Sequence, residues 1–160
     1  MTFCKCHFLE VYNMKTCIFF GHRDCPDTIR PKLKNTIELL ISENGFNVFL
    51  VGNHGNFDRI VREVLKELET TYNIHYEIIL NTLPNPKKLD YTEYDTAHYT
   101  LPENLELTPP KYSIDFRNKY MINRAQYVIS YITHNFGTGA AKYVQLAKKK
   151  DIPVINLADK

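Results

Sequence analysis

The sequence predicts an α/β protein, a three-layer sandwich with a mostly parallel five-stranded sheet and helices on both faces. Three observations carry the prediction. Short, nearly continuous apolar runs recur along the chain, as strands buried on both faces require. Between them lie longer stretches whose apolar residues fall at helical spacing. Glycine-containing turns follow the first, second and fourth runs. Strands alternating with helices imply parallel pairing with right-handed crossovers, because each helix returns the chain to the same end of the sheet.

Each element has its own justification. Cys17-Ile18-Phe19-Phe20 is a short apolar run ending at Gly21, a buried strand. A helix is expected over about 27–43, with Ile29, Leu33, Ile37, Leu40 and Ile41 on one side. Pro26 and Pro31 lie near its start, where proline is tolerated, and Asn44-Gly45 is a stop signal. Asn47–Val51 is the second strand, ending at Gly52, and Ile60, Val61, Val64, Leu65 and Leu68 mark a helix over about 56–71. His75–Leu80 is the third strand. The segment 81–112 then breaks the rhythm with Pro84, Pro86, Pro102, Pro109 and Pro110 among Tyr91, Tyr94, Tyr99 and Tyr112. A connection this long is uncommon in a compact domain and is often functional; a short helix is expected within it near 87–95. A helix over about 113–124, a fourth strand at Tyr127–Ile132, a helix over about 138–149 and a fifth strand at Ile152–Leu157 complete the pattern, with Pro153 at the start or edge of the last strand.

Residues 1–13 have no clear period, and Met14 is a second plausible start. The expectation is an N-terminal extension, 1–13, before one domain, 14–160. Composition fits a globular chain of 160 residues, 44% hydrophobic and 24% charged. No apolar run approaches the roughly 18 residues of a membrane span, so a spanning segment is not expected. Twenty Lys and Arg against 18 acids give a net charge of +2, which supplies no global pull toward nucleic acid or an anionic membrane. Cys4, Cys6, Cys17 and Cys25 all lie near a start that lacks a signal peptide's pattern, so a reducing, cytoplasmic setting is expected. A zinc site built on Cys4-x-Cys6-His7 would need Cys17, which falls in a buried strand; free thiols and no metal site are the expectation. No cofactor is implied.

Ligands of open parallel sheets bind beyond the carboxyl ends of the strands, so the residues after each strand are the site candidates. After the first come Gly21, His22 and Arg23: a turn, a group that donates or accepts near neutrality, and a fork for phosphate or carboxylate. After the second, Gly52 and Gly55 precede a helix and can expose backbone N–H groups to an anion, and Asp58 either caps the helix or binds a ribose hydroxyl. After the fourth, Thr133 leads to Gly137-Thr138-Gly139, a small-residue turn at a helix start suited to phosphate. Arg117 and Asn118 sit on the helix before the fourth strand, Arg117 sharing a face with Met121 four residues on. The turns match neither the dinucleotide fingerprint nor a P-loop, and neither a nucleophile elbow nor a zinc-protease pair occurs.

Taken in order, Cys17 to Arg23, Gly52 to Asp58, Arg117-Asn118-Lys119-Tyr120-Met121 and Gly137-Thr138-Gly139 resemble the SLOG superfamily. That group joins the DNA-processing DprA proteins, the Lonely Guy cytokinin-activating enzymes and a YpsA-like uncharacterised branch, which this chain resembles most. The resemblance covers about Met14 to the C-terminus. It implies a Rossmann-like fold, a pocket for a nucleotide or nucleotide-derived ligand, and a homodimer. Lonely Guy enzymes carry a catalytic arginine in an Arg-Lys-x-x-Met stretch, which would fall on Arg117. Their phosphate-binding turn ends in a catalytic glutamate; here Gly137-Thr138-Gly139 is followed by Ala140-Ala141-Lys142, without one. Asp58 or Glu93 would have to substitute. The leading expectation is therefore ligand binding, as in a sensor. The alternatives are a hydrolase or transferase acting at a nucleoside N-glycosidic bond, with Arg117 as its catalytic residue, and single-stranded DNA binding as in DprA, against which the charge balance argues.

Overall fold

The structure is a computed structural model describing residues 14–85, 98–135 and 137–160. The extension 1–13 with Cys4, Cys6 and His7, the expected short helix near 87–95, and Tyr91, Glu93 and Tyr94 lie outside the described residues.

The chain runs β1 (Thr16–Gly21), α1 (Arg30–Asn44), β2 (Val48–Val51), α2 (Gly55–Glu69), β3 (His75–Ile79), β4 (Tyr99–Thr100), α3 (Ser113–Ile122), β5 (Tyr127–Tyr131), α4 (Gly139–Lys149) and β6 (Val154–Asn156). One sheet orders the strands β4-β3-β2-β1-β5-β6, and every pairing is parallel. The α/β class and Rossmann-like arrangement stand, but the sheet has six strands rather than five. The additional strand, β4, comes from the long segment 81–112, in which no strand was expected: Tyr99 and Thr100 pair with Ile78 and Ile79 at the edge. Two residues are too few to show a strand period, and the surrounding prolines pointed to a loop.

Strand side chains alternate between two cores. Cys17 and Phe19 of β1 face the α1–α2 layer with Phe49, Val51, Leu33, Ile37, Phe57 and Val61. Ile18 and Phe20 face the α3–α4 layer with Leu50, Met121, Val128 and Val144. This two-sided burial explains why β1 is an unbroken apolar run. Helix ends follow local chemistry. A 3-10 turn over Asp27–Ile29 precedes α1, Pro31 occupies its first turn, and Gly45 ends it with a left-handed backbone (φ 70°). Thr138 caps α4, its side chain accepting from Ala141 N–H, and Lys148 and Lys149 lie exposed in its last turn, where cations complement the dipole. Cys17 and Cys25 are buried free thiols; burial pushes Cys25 up to about 11 and Cys17 further still. Among the described residues, no helix is long and apolar enough to cross a membrane, and no group of three His, Cys, Asp or Glu could hold a metal ion.

The strand order reverses at β1. The chain steps outward through β2, β3 and β4, then crosses back to β5 on the other side, so the loops after β1 and β5 diverge and leave a crevice. Ile37, fully buried between α1 and the sheet, tests this core. Ile37→Ala should cost about 2–5 kcal/mol of unfolding free energy, read from denaturant titration.

Candidate functional site

A cavity of about 510 Å³ occupies that crevice. Its wall includes Gly21, His22 and Arg23 after β1, Gly52 after β2, Asp58 on α2, Arg117 and Asn118 on α3, and Gly137, Thr138 and Gly139 at the start of α4. Ten of the expected site residues are thus brought to one place. Thr133 and Gly55 are not among the lining residues and act behind it. Gly55 has φ +83°, and a Cβ there would come 2.8 Å from Arg23 Cα, so glycine lets the β2 turn pack against the β1 turn. Arg23 is exposed at the rim, with its backbone carbonyl accepting from Asn56 N–H (2.9 Å). Of the glycine turns, Gly21 and Gly52 border the cavity, Arg23 edges it, and Gly55 is not among its lining residues.

Arg117 is the deepest cation of the pocket, 5% exposed. From α3 it reaches over the ends of β2 and β3, donating from Nη1 to Asn53 Oδ1 (3.3 Å) and to the Ile79 carbonyl (3.4 Å). Its Nε is buried without a hydrogen-bond partner. Asp58, 7% exposed, approaches from the first turn of α2 and accepts the N–H of His54, the residue before the helix, at Oδ2 (3.0 Å). The two attract each other across Gly52. A Cβ at Gly52 would stand 2.5 Å from both Arg117 Nη1 and Asp58 Oδ2. The glycine leaves room for the pair, a need distinct from the anion-facing backbone expected of it. Burial raises the Asp58 pKa, against the opposing pull of Arg117 and the His54 N–H. Burial also lowers that of Arg117, with Asp58 opposing.

The pocket's other side is the N-terminus of α4. Thr138 Oγ1 takes the Ala141 N–H (3.4 Å). The N–H groups of Gly139 and Ala140 have no intrahelical acceptor, as in any first turn, and both residues line the cavity. His134 also lines it and stacks on His22 (4.4 Å between centroids). His22, 5% exposed, accepts Thr133 N–H at Nε2 (3.0 Å) and is therefore neutral on that nitrogen. Burial lowers its pKa, with His134 adding to the effect. Its role is a latch between the β1 and β5 turns.

Several contributors lie outside the expected site residues. Asn56 donates from Nδ2 to the Cys25 carbonyl (2.6 Å) and Asp27 Oδ1 (2.9 Å), clamping the β1 turn. His54 Nε2 pairs with Asn81 Oδ1 (2.7 Å), and Asn81 donates to Ser113 Oγ (3.3 Å), fixing the start of α3. Tyr143 lines the cavity, stacks on Phe20 and donates to Asp115 Oδ1 (2.6 Å), tying α4 to α3. His54, like His22 and His134, follows a strand end, and so do Asn56 and Asn81; Tyr143, inside a helix, carries no such signal. No protein-family model matches the chain. No curated protein matches it either.

Chemically, the pocket offers helix N–H donors from the start of α4, a buried donor and acceptor in Arg117 and Asp58, and the apolar surface of Phe20, Met121 and Tyr143. Two outcomes test this geometry. Gly52→Ala must displace a guanidinium or a carboxylate and should destabilise by about 1–3 kcal/mol in denaturant unfolding. Asp115 has its pKa lowered, first by Lys119 (2.7 Å to Oδ2) and then by Tyr143 and Lys142. Its contribution is present above the unfolded carboxylate pKa and is lost progressively as pH falls from there through the lower folded pKa. Asp115→Asn should therefore cost about 1 kcal/mol at pH 7, with the gap to the parent closing below pH ~4 in pH-resolved unfolding.

Proposed function

We propose that the protein binds a nucleotide or nucleotide-derived ligand in this crevice. The observation that carries the reading is the buried Arg117, with one nitrogen unpartnered, facing the same cavity as the first turn of α4. A helix N-terminus alone is a weak anion site; a desolvated guanidinium in the same cavity makes a charged ligand the natural occupant. The topological position, at the strand-order reversal, is where such sheets bind ligands. The resemblance to the SLOG superfamily and its YpsA-like branch agrees with this reading. Gly137, Thr138 and Gly139 would hold a phosphate, with Arg117 and Asn118 opposite.

A second reading is favoured by Asp58. A buried carboxylate lining the pocket beside Arg117 is the kind of group that N-glycosidic hydrolysis uses to activate water or stabilise a cationic sugar. It would take the place of the missing glutamate.

A thermal-shift panel with AMP, ADP-ribose, NAD and cyclic nucleotides at millimolar concentration should raise the melting temperature for at least one, with the shift lost in Arg117→Ala. No shift with any overturns the binding reading. Chromatography of nucleoside monophosphates incubated with the protein checks the second reading: released base, lost in Arg117→Ala, supports it, and intact nucleotide refutes it.

A further inference from the structure

We infer that the Arg117–Asp58 pair is a hydroxyl-recognition site that selects ribose over deoxyribose; this rests on the nucleotide reading above. Asp58 Oδ2 caps the start of α2 through the His54 N–H. Capping explains that hydrogen bond but not the burial, since a capping carboxylate works in solvent and burial raises the cost of its charge. What burial achieves is to set an acceptor beside a donor in a ligand-sized cavity. The missing side chain of Gly52 leaves the space that both border: Asp58 Oδ2 and Arg117 Nη1 lie equally near the point where a Cβ would stand, and all three residues line the cavity.

The chemistry of that spot discriminates among ligand groups. An ionised carboxylate only accepts and a guanidinium only donates. A hydroxyl does both, so a vicinal diol satisfies the pair, one oxygen donating to Asp58 and the other accepting from Arg117. A phosphate there would meet the Asp58 charge, and an apolar group would leave two buried polar groups without replacement for water. The anionic part of the ligand therefore belongs at the α4 end, among Thr138, Gly139 and Ala140, and the sugar hydroxyls belong over Gly52. Asp58 is on this account the residue that reads the sugar, and the ligand class is a ribonucleotide with a free 2′,3′-diol.

The test compares each of AMP, GMP, CMP and UMP with its 2′-deoxy and 3′-deoxy counterparts, by calorimetric titration of the full chain. Loss of one hydrogen bond to a charged partner should weaken binding about 10–100-fold. In Asp58→Asn, which keeps an oxygen for the His54 N–H, the ribo-to-deoxy ratio should fall toward one. Equal binding of ribo and deoxy forms to the unaltered protein overturns the inference and leaves the nucleotide reading standing. An unchanged ratio in a folded Asp58→Asn protein overturns the assignment to Asp58. Binding of neither form overturns both the inference and the reading beneath it. The ribo/deoxy comparison needs no variant, so a folding defect in Asp58→Asn does not remove the test.

Discussion

The site is organised by one shared space: the bare Cα of Gly52 leaves room for both an arginine and an aspartate side chain. Asp58 comes from α2, on one face of the sheet, and Arg117 from α3, on the other. Both side chains reach the space over Gly52, at the end of β2. Each would be costly to bury alone. Removing either one withdraws an opposite charge that offsets part of the other's burial. Their mutual attraction therefore constrains the relative placement of α2, α3 and the β2 turn. The Arg117 bonds to Asn53 and to the Ile79 carbonyl extend the constraint to the end of β3.

Around this pair, the loops are held by short polar latches rather than by packing alone. Thr133 N–H on His22 joins the β1 and β5 turns, and His22 N–H reaches back to the Tyr131 carbonyl (3.2 Å). Asn56 holds the β1 turn from the other side. The Asn156 side chain both accepts from and donates to the Ile132 backbone (2.9 Å each), fixing the end of β5. Loops bound at this many points are set before a ligand arrives, which removes an ordering cost from binding.

The parts legible in the sequence were those with a local physical signature. Strands buried on two faces must be apolar at consecutive positions, so β1 and β2 showed as runs. Gly21, Gly52 and Gly137 to Gly139 showed because a turn after a strand interrupts such a run. Arg117 showed through its spacing to Met121. What stayed hidden depends on residues far apart in the chain. β4 is recognised as a strand only by its pairing with β3. His54, Asn81 and Ser113 form one polar chain spanning 59 positions. The reason for Gly52 lies in a side chain contributed from α3, which no local pattern contains.

This distinction bears on how the pocket's charge should be weighed. A net charge of +2 over 160 residues describes the chain as a whole. Within the crevice, Arg117 is already met in part by Asp58, and Arg23 stands in water at the rim. The attraction for an anion is thus divided between a helix terminus, whose partial charge acts only over its first turn, and a guanidinium whose field is partly spent on a neighbour. Neither source favours a polyanion, because both act over a few ångströms inside a cavity of about 510 Å³. Such a site distinguishes ligands by where their hydroxyls and phosphate fall relative to Gly52 and Gly139, and geometry rather than total charge decides what it holds.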